Sequence, residues 1–264
     1  MARKLGKLEA AALAYVQMRD LRTVETGDLA AALRITEKQE CELLSRMARA
    51  GMIAKVRNGL YLFPAKLPLG GVWTPEEATV INALMTDRRA SYQITGPNAF
   101  NRYGYDEQIP SRVYIYNDAI SGDRSVGRIE VSLIKVSPER LGETEQAETP
   151  TGETLVYSSR VRTLVDAVYD WSRFDSLPRA YDWIRRDIED GRVSPADLSE
   201  TAIRFGNLGT LRRIGALLEQ IGAQESVLKR LQRKLTPSTA KIPLVPGRPA
   251  CGTYLRRWGV VLND

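Results

Sequence analysis

The stretch ITEKQECELLSRMARAGMIAKVRNGLYLF, residues 35–63, decides how the front of this chain folds. Thr36 begins an amphipathic segment, and Gln39 three residues later completes a capping box, the pattern typical of a helix N-terminus. Further along, Leu43 and Met47 recur at the spacing of one helix face. The stretch therefore opens with a predicted helix that has one apolar and one polar side.

A hairpin is predicted directly after this helix. The segment before Asn58-Gly59 alternates apolar and polar side chains, and the segment after it returns as far as Phe63. Asn-Gly between alternating segments is a strong hairpin signal, because it suits a turn in which both residues have positive φ. Lys55 and Arg57 make the rising strand basic.

Two helices are predicted upstream. Apolar residues recur at helical spacing over 5–20, and Thr26 is placed to cap a short second helix that runs to Arg34. Ile35 then supplies the apolar plug of a tight turn. Three helices followed by a basic hairpin is the order of a winged helix-turn-helix, whose last helix enters the DNA major groove. We predict this unit for residues 1–65.

The candidate DNA-binding residues are polar side chains of the third helix and the hairpin. Arginine pairs with guanine and glutamine with adenine by two hydrogen bonds, whereas hairpin cations suit phosphates. Glu42 would repel phosphate, so it either accepts from a cytosine amine or faces away. A solvated helix face and a protein-binding winged helix remain open alternatives. The candidates are Thr36, Lys38, Gln39, Ser45, Arg46, Arg49, Lys55, Arg57, Asn58 and Gly59.

Charge is unevenly distributed along the 264 residues. Residues 1–64 carry 11 Lys/Arg against 7 Asp/Glu, residues 65–201 carry 16 against 22, and residues 202–264 carry 11 against 3. An acidic middle between two basic ends suggests nucleic acid as a partner.

Composition excludes several kinds of site. There is no histidine, which removes Ser-His-Asp and Cys-His catalysis, and two distant cysteines, Cys41 and Cys251, cannot form the common zinc sites or a disulfide framework. Apolar runs are too short for a membrane span, and no signal-peptide core follows the basic start. A reducing cytoplasm is the expected location. Any enzyme here would have to use carboxylates, lysines or a hard cation such as Mg²⁺, and we expect no catalytic residue and no metal site.

After a linker at residues 66–72, we predict an α+β domain over 73–264. Thr74-Pro75 is typical of a helix start, with Thr74 as the cap, and the helix should run to about Thr86. The chain then turns helical, so a mainly antiparallel sheet should precede a helical C-terminal half. The predicted strands cover residues 92–95, 112–116, 128–136 and 154–158, with a short closing strand at 258–262.

The acidic middle offers an enzymatic alternative. Asp166 and Asp170 lie one helical turn apart and could hold Mg²⁺ in a nuclease or nucleotidyl-modifying enzyme, although a solvated helix face with partners such as Arg162 is the commoner explanation. Further carboxylates at Asp182, Asp187, Glu189 and Asp190 belong to the same alternative. A ligand-responsive transcription factor is another, with a pocket formed by Trp73, Tyr92, Phe100, Tyr103 and Tyr105.

The basic C-terminal part carries a candidate surface for DNA phosphates or an acidic protein, with a solvated face as the plainer alternative. Its members are Arg212, Arg213, Lys229, Arg230, Arg233 and Lys234. The last four cluster on one broad side of a predicted helix.

Four short strings resemble the AbiEi family of type IV antitoxins from bacterial abortive-infection systems. They are GMI with RNGLY at 51–61, RTLVD at 162–166, RIGALLE at 213–219 and RWGVVLN at 257–263. The resemblance implies a front domain that binds inverted repeats in its own promoter and represses it, as monomers that pair on the repeat or as a dimer. It also implies a rear domain that opposes a nucleotidyltransferase-like toxin in phage defence, without a stable complex or a cofactor. The basic C-terminal surface would then serve antitoxicity or auxiliary DNA contact.

Overall fold

The fold is α+β, as predicted. A computed structural model describes residues 5–68, 71–236 and 239–263. The N-terminal unit comprises α1 (Lys7–Met18), β1 (Thr23–Glu25), α2 (Asp28–Leu33), α3 (Glu37–Arg49), β2 (Ala54–Arg57) and β3 (Leu60–Leu62). Its three strands form an antiparallel sheet in the order β1-β3-β2. In the described part of the chain, no helix is long and apolar enough to cross a membrane.

The N-terminal unit is built around its own core, in which α3 buries one side. Leu43, Leu44 and Met47 are fully or almost fully buried there, with Val16 from α1 and Leu29 from α2 packed in the same cluster. The predicted periodicity of α3 is thereby confirmed, and its opposite side is left exposed. The winged-helix interpretation of these elements stays a prediction.

The two predicted helix starts in this unit differ in outcome. The capping box of α3 is confirmed, since Thr36 Oγ1 accepts from the Gln39 amide at 3.2 Å and Gln39 Oε1 accepts from the Thr36 amide at 2.9 Å. For α2, Thr26 is not the cap. The buried Glu40 of α3 accepts from the amides of Gly27 and Leu29, both at 2.7 Å. A carboxylate from a neighbouring helix thus satisfies the free amides of α2 and fixes its position against α3.

A six-stranded sheet forms the centre of the rest of the chain. Its order is β6-β7-β5-β4-β9-β8, and two of its five pairings, β5 with β7 and β4 with β9, are parallel. The other three pairings are antiparallel, so the sheet is mixed with an antiparallel majority. Its strands are β4 (Tyr92–Ile94), β5 (Arg112–Asn117), β6 (Gly122–Val126), β7 (Ile129–Lys135), β8 (Thr144–Glu148) and β9 (Thr154–Ser158).

Both edge strands escaped sequence-based prediction. The edge strand β6 reads GDRSV and the edge strand β8 reads TEQAE, and both are largely exposed. Neither carries the alternation of apolar and polar residues that marks a half-buried strand, because almost no side chain of either strand is buried on either face.

Helices cover both faces of the sheet. One face packs against α4 (Glu77–Arg88), and the other packs against most of the C-terminal helices. Successive side chains of β5 point to opposite faces of the sheet. Ile115 packs in the core with α4, and Tyr116 packs in the core with the C-terminal helices. The remaining helices are α5 (Pro97–Arg102), α6 (Arg160–Tyr169), α7 (Trp171–Phe174), α8 (Arg179–Glu189), α9 (Pro195–Phe205), α10 (Leu208–Gln220) and α11 (Glu225–Gln232), with a 3₁₀ turn at Pro138–Arg140.

The start of α4 lies two residues later than predicted. Glu76 has extended dihedrals and precedes the first helical residue, Glu77, whereas Thr74 does not cap the helix and Pro75 is buried ahead of it. The Thr-Pro signal therefore marks the extended approach to the helix, in keeping with the restriction that proline places on its predecessor.

The N-terminal hairpin belongs to the same core as the central sheet. Val56 of β2 and Leu60 of β3 are buried with Ile81 of α4 and Val126 of β6. The two parts of the chain are thus joined by apolar packing. Within the predicted linker, Leu69 and Gly70 lie outside the described residues.

The C-terminal residues close the fold against α10. A small sheet has the order β10-β12-β11, formed by β10 (Ile242–Pro243), β11 (Tyr254–Leu255) and β12 (Val260–Val261). The buried Trp258 ring lies against Gly215 of α10, so closely that a Cβ on this glycine would overlap the ring carbons. Trp258 Nε1 donates to Glu219 at 2.8 Å, and Asn263 holds the preceding loop through the Val245 backbone.

We predict that Gly215→Ala destabilises the protein by about 1–3 kcal/mol, because the added methyl group overpacks against a fixed indole. Gly209→Ala in the same helix is the matched control. Its Cβ would meet mainly the flexible end of Arg213, so its effect should stay within about 0.5 kcal/mol. Urea unfolding at equilibrium measures both, and equal effects of the two substitutions would contradict the packing argument.

Candidate nucleic-acid interface

The exposed side of α3 is the candidate interface. Lys38, Glu42, Ser45 and Arg49 are exposed and follow the helical repeat, so they form one stripe along the helix, named here the α3 stripe. The stripe borders a shallow groove of about 440 Å³ that is lined by Cys41, Glu42, Ser45, Arg46 and Arg49. Cys41 is a free, exposed thiol within this groove.

Three predicted contact residues of α3 also have structural partners. Thr36 and Gln39 form the capping box, so their side chains fix the start of the helix. Arg46 Nε lies 3.1 Å from Oε1 of the almost buried Glu9 of α1, although half of the Arg46 side chain remains exposed. These residues position α3, whereas Lys38 and the rest of the stripe stay available to a partner.

Arg57, which is predicted to contact phosphate, already has carboxylate partners within the chain. Its guanidinium donates to the Asp87 carboxylate at 2.6–3.0 Å and to Glu25 Oε1 at 3.0 Å. The Arg57 hydrogen bonds lower the pKa of Asp87, and the same contact raises the pKa of Arg57. Two carboxylates thus neutralise this cation, which fastens the hairpin to the end of α4.

The tip of the hairpin also differs from expectation. Gly59 has a φ of 83°, whereas Asn58 does not have a positive φ, and the pairing register is irregular between Lys55 and Arg57. The turn is therefore not the type in which both residues are left-handed. Asn58 is exposed, and Lys55 is exposed without an ion pair to any described residue, so these two remain candidates for DNA contact.

The basic C-terminal surface loses two of its six predicted members. Arg212 is only 6% exposed and donates to the carbonyl oxygens of Trp258, Ala240 and Gly259, the first at 2.6 Å. Arg213 is partly buried and donates to the Pro243 carbonyl at 3.3 Å. Both arginines hold the closing sheet against α10. The sequence alone does not show that distant backbone carbonyls accept the hydrogen bonds of these two arginines.

The other four members are exposed, at or just beyond the end of α11. Arg230 lies 3.4 Å from Glu200, and both side chains are more than half exposed, so this pair adds little stability. Lys229, Arg233 and Lys234 form no ion pair with a described residue. Arg256, which is not among the predicted members, is also exposed in this part of the chain.

The carboxylates considered as Mg²⁺ ligands are occupied by basic and hydroxyl groups. Asp166 is fully buried and accepts from Arg162 Nε and Arg140 Nη2, both at 2.9 Å. Asp187 is fully buried too and pairs with Arg160 at 3.2 Å. Among residues 5–68, 71–236 and 239–263, no group of acidic or thiol side chains is arranged to hold a metal. The predicted i, i+4 pairing of Arg162 with Asp166 is confirmed, but Asp166 and Asp187 are both buried, so the solvated-face explanation is wrong for these two residues.

Asp170 faces a buried tyrosine rather than a metal. Tyr116 donates to its Oδ2 at 2.7 Å. Burial, together with the nearby carboxylates Asp166 and Asp170, raises the pKa of the Tyr116 hydroxyl well above its usual value. The hydroxyl therefore acts as a hydrogen-bond donor at the junction of β5 and α6.

The aromatic residues considered as a ligand pocket do not line a common cavity. Phe100 and Tyr105 are buried against Trp183, with ring centroids 5.0 and 5.4 Å apart, on the face of the sheet that carries the C-terminal helices. Trp73 and Tyr92 pack in the core on the opposite face. These aromatic residues are therefore core residues on the two faces of one sheet.

Comparison with known proteins agrees with the architecture. A family model described as DUF6088, a family of unknown function, matches residues 31–149, which span α3, the hairpin and the sheet as far as β8. The crystal structure of the Rv2827c protein from Mycobacterium tuberculosis is similar with a TM-score of 0.58 and 15% sequence identity, over 98% of this chain and 92% of that one. At this identity the likeness shows a shared fold alone. No curated protein matches the chain.

We predict that Asp87→Asn lowers the free energy of unfolding at pH 7 by about 1–3 kcal/mol, because it removes the charged acceptor of Arg57. The folded state lowers the pKa of Asp87, so its stabilisation is complete above the unfolded carboxyl pKa. That contribution disappears as the pH falls through the folded pKa. The two proteins should therefore approach equal stability in acid.

Asp182→Asn is the control for this experiment, because Asp182 is 74% exposed in its pair with Arg185. Its effect should remain within about 0.5 kcal/mol. Urea unfolding between acid and neutral pH compares the variants. An Asp87→Asn effect no larger than that of the control, or one independent of pH, would show that Arg57 does not fasten the hairpin.

Proposed function

We propose that this chain is a DNA-binding repressor of its own promoter and an antitoxin. Its N-terminal unit would be a winged helix, with α3 as the recognition helix. The observation that carries the DNA-binding half is the α3 stripe: two cations, a carboxylate and a hydroxyl, exposed along one helix between a short preceding helix and a basic hairpin.

The dimensions of α3 support insertion into the major groove. A helix with its side chains is about 10–12 Å in diameter, which matches the width of the major groove, about 12 Å. The stripe from Lys38 to Arg49 would then extend over about 16 Å of the groove at the usual helical rise. In this arrangement Arg49 and Lys38 suit guanine edges, and Glu42 between them suits the amine of cytosine. A carboxylate within the stripe would also weaken contacts with phosphate alone, which favours sequence-specific over non-specific binding.

The hairpin would contribute phosphate contact through Lys55. Arg57 is already neutralised by Asp87 and Glu25, so its removal should change hairpin position more than it changes charge at the DNA surface. The proposed roles of the two hairpin cations can therefore be separated by the salt dependence of binding.

We predict that Arg49→Ala weakens the binding free energy for DNA from upstream of the gene by about 1–3 kcal/mol and relaxes the preference for its sequence. Lys55→Ala should weaken binding to all sequences equally and reduce the salt slope by about 0.9 for each phosphate that Lys55 neutralises. Arg248→Ala, a change at an exposed C-terminal arginine, is the control. Fluorescence anisotropy over a series of salt concentrations measures each. Equal binding of upstream and scrambled DNA by the unaltered protein would refute specific recognition.

The two cysteines provide a direct test of which surface the DNA covers. Both are free and exposed, Cys41 within the groove of α3 and Cys251 in the C-terminal segment. We predict that upstream DNA slows alkylation of Cys41 and leaves that of Cys251 unchanged, as quantified by mass spectrometry. Protection of Cys251 alone, or of neither thiol at saturating DNA, would exclude α3 as the contact.

The antitoxin half rests on the resemblance to AbiEi proteins. Exposed cations near the end of α11 supply a surface of the expected kind, since Lys229, Arg233 and Lys234 are available to a partner. The three C-terminal strings of the resemblance contribute buried contacts, so we assign antitoxicity to these exposed residues and not to the strings.

Growth of cells that express the neighbouring gene tests this half. If the neighbour encodes the toxin, the full-length chain should restore growth, and so should a Lys38→Ala, Arg49→Ala variant. A Lys229→Glu, Arg233→Glu, Lys234→Glu variant should restore growth less well. Full-length variants are needed because removal of the front would strip Val56 and Leu60 from the shared core. A harmless neighbour, or a toxic one that the chain fails to counteract, would refute the antitoxin role and leave the DNA-binding role intact.

A further inference from the structure

A pocket near the C-terminus combines three guanidinium groups. Its volume is about 350 Å³, and it lies where the end of α11 meets the turn between β11 and β12. Residues that line it include Arg212, Gln232, Arg256, Arg257, Trp258 and Gly259. No carboxylate is among the described residues that line it.

Arg212 is a buried cation without a carboxylate partner. It is 6% exposed, and the groups that accept its hydrogen bonds are the backbone carbonyl oxygens of Trp258, Gly259 and Ala240. Carbonyl dipoles satisfy N–H donors but do not supply a counter-charge. Removal from water lowers the pKa of this guanidinium, in keeping with the lack of a carboxylate beside it.

The turn beside Arg212 is shaped to bring the backbone close to this guanidinium. Gly259 has a φ of 64°, and a Cβ at this position would overlap Arg212 Nη2. Glycine therefore permits both the left-handed turn and the close approach. The floor of the pocket is thus a fixed arrangement of one cation and one turn.

The other two arginines have different degrees of neutralisation. Arg257 pairs with Glu225 through two contacts of 2.9 Å, and its buried Nε has no hydrogen-bond acceptor among the described residues. Arg256 is exposed and forms no hydrogen bond or ion pair through its side chain with any described residue. Arg212 and Arg256 therefore leave an excess of positive charge around the cavity.

We propose that this pocket binds a phosphate group. Guanidinium is planar and carries several donors, so it matches the oxygens of phosphate better than it matches a spherical anion such as chloride. A bound phosphate would supply the counter-charge that Arg212 lacks. The volume also leaves room for part of the molecule that bears the phosphate.

The phosphate has two possible sources, a small phosphorylated compound or the backbone of a nucleic acid. The pocket is formed by α10, α11 and the closing strands, whose core is distinct from that of α3. It is therefore a second site, and its occupancy does not depend on DNA recognition by the α3 stripe.

Thermal unfolding and calorimetric titration with inorganic phosphate and pyrophosphate test the proposal, with chloride at equal ionic strength as the reference. Phosphate should raise the Tm of the full chain in a saturable manner. Arg256→Gln should weaken phosphate binding at least about tenfold, and Arg248→Gln, which lies outside the pocket, should not. Arg256 is exposed, so its substitution should leave the fold intact.

A short DNA duplex of unrelated sequence distinguishes the sources. If Arg256→Gln weakens duplex binding and Arg248→Gln does not, the pocket holds backbone phosphate. If inorganic phosphate or pyrophosphate binds in an Arg256-dependent manner and the duplex is unaffected, the ligand is a small phosphorylated compound. If no probe binds in a manner that depends on Arg256, the proposal is wrong, while specific binding of upstream DNA through α3 would stand.

Discussion

The buried pair of Arg162 and Asp166 connects the elements on which the rest of the structure depends. Asp166 accepts hydrogen bonds from Thr95 at the end of β4 and from Ser158 at the end of β9, while Arg162 donates to the carbonyls of Arg140 and Gly142. Two strands, one helix and one loop thereby meet at Asp166, which pairs with both Arg162 and Arg140. Such a pair is costly to desolvate, and it persists because Asp166 accepts four hydrogen bonds and the Arg162 guanidinium donates three.

With the sheet fixed in this way, its opposite face can hold the N-terminal hairpin. Val56 and Leu60 pack against α4, and Arg57 anchors the hairpin to Asp87. The hairpin therefore serves two roles, as the support that carries α3 and as the joint to the sheet. The surface presented by α3 is held in place by apolar packing, by the Arg57–Asp87 pair and by the Arg46–Glu9 pair. This is the rigidity that the proposed sequence-specific contact with DNA would require.

Local signals in the sequence predicted local structure well and charge partners poorly. The capping box of Thr36 and Gln39 and most of the central strands depend on neighbours in the chain, and they were predicted correctly. The polar edge strands β6 and β8 carry no periodic apolar face, so they were missed. Arg57 and Arg212 resembled surface cations because their partners, Asp87 and the carbonyls of residues 240, 258 and 259, are distant in sequence.

The C-terminal residues that carry the AbiEi resemblance have structural roles. Arg162 and Asp166 form the central ion pair. Gly215 packs directly against the Trp258 ring, and Asn263 accepts a hydrogen bond from the Val245 amide. All of these contacts determine the fold, and proteins that share them share an architecture before they share an activity. Function must then lie in side chains that the architecture leaves without partners. The exposed cations without an ion pair to a described residue include Lys38 and Arg49 of the α3 stripe, Lys229, Arg233 and Lys234 near the end of α11, and Arg256 of the arginine-lined pocket. Each of them can change while the scaffold beneath it stays the same.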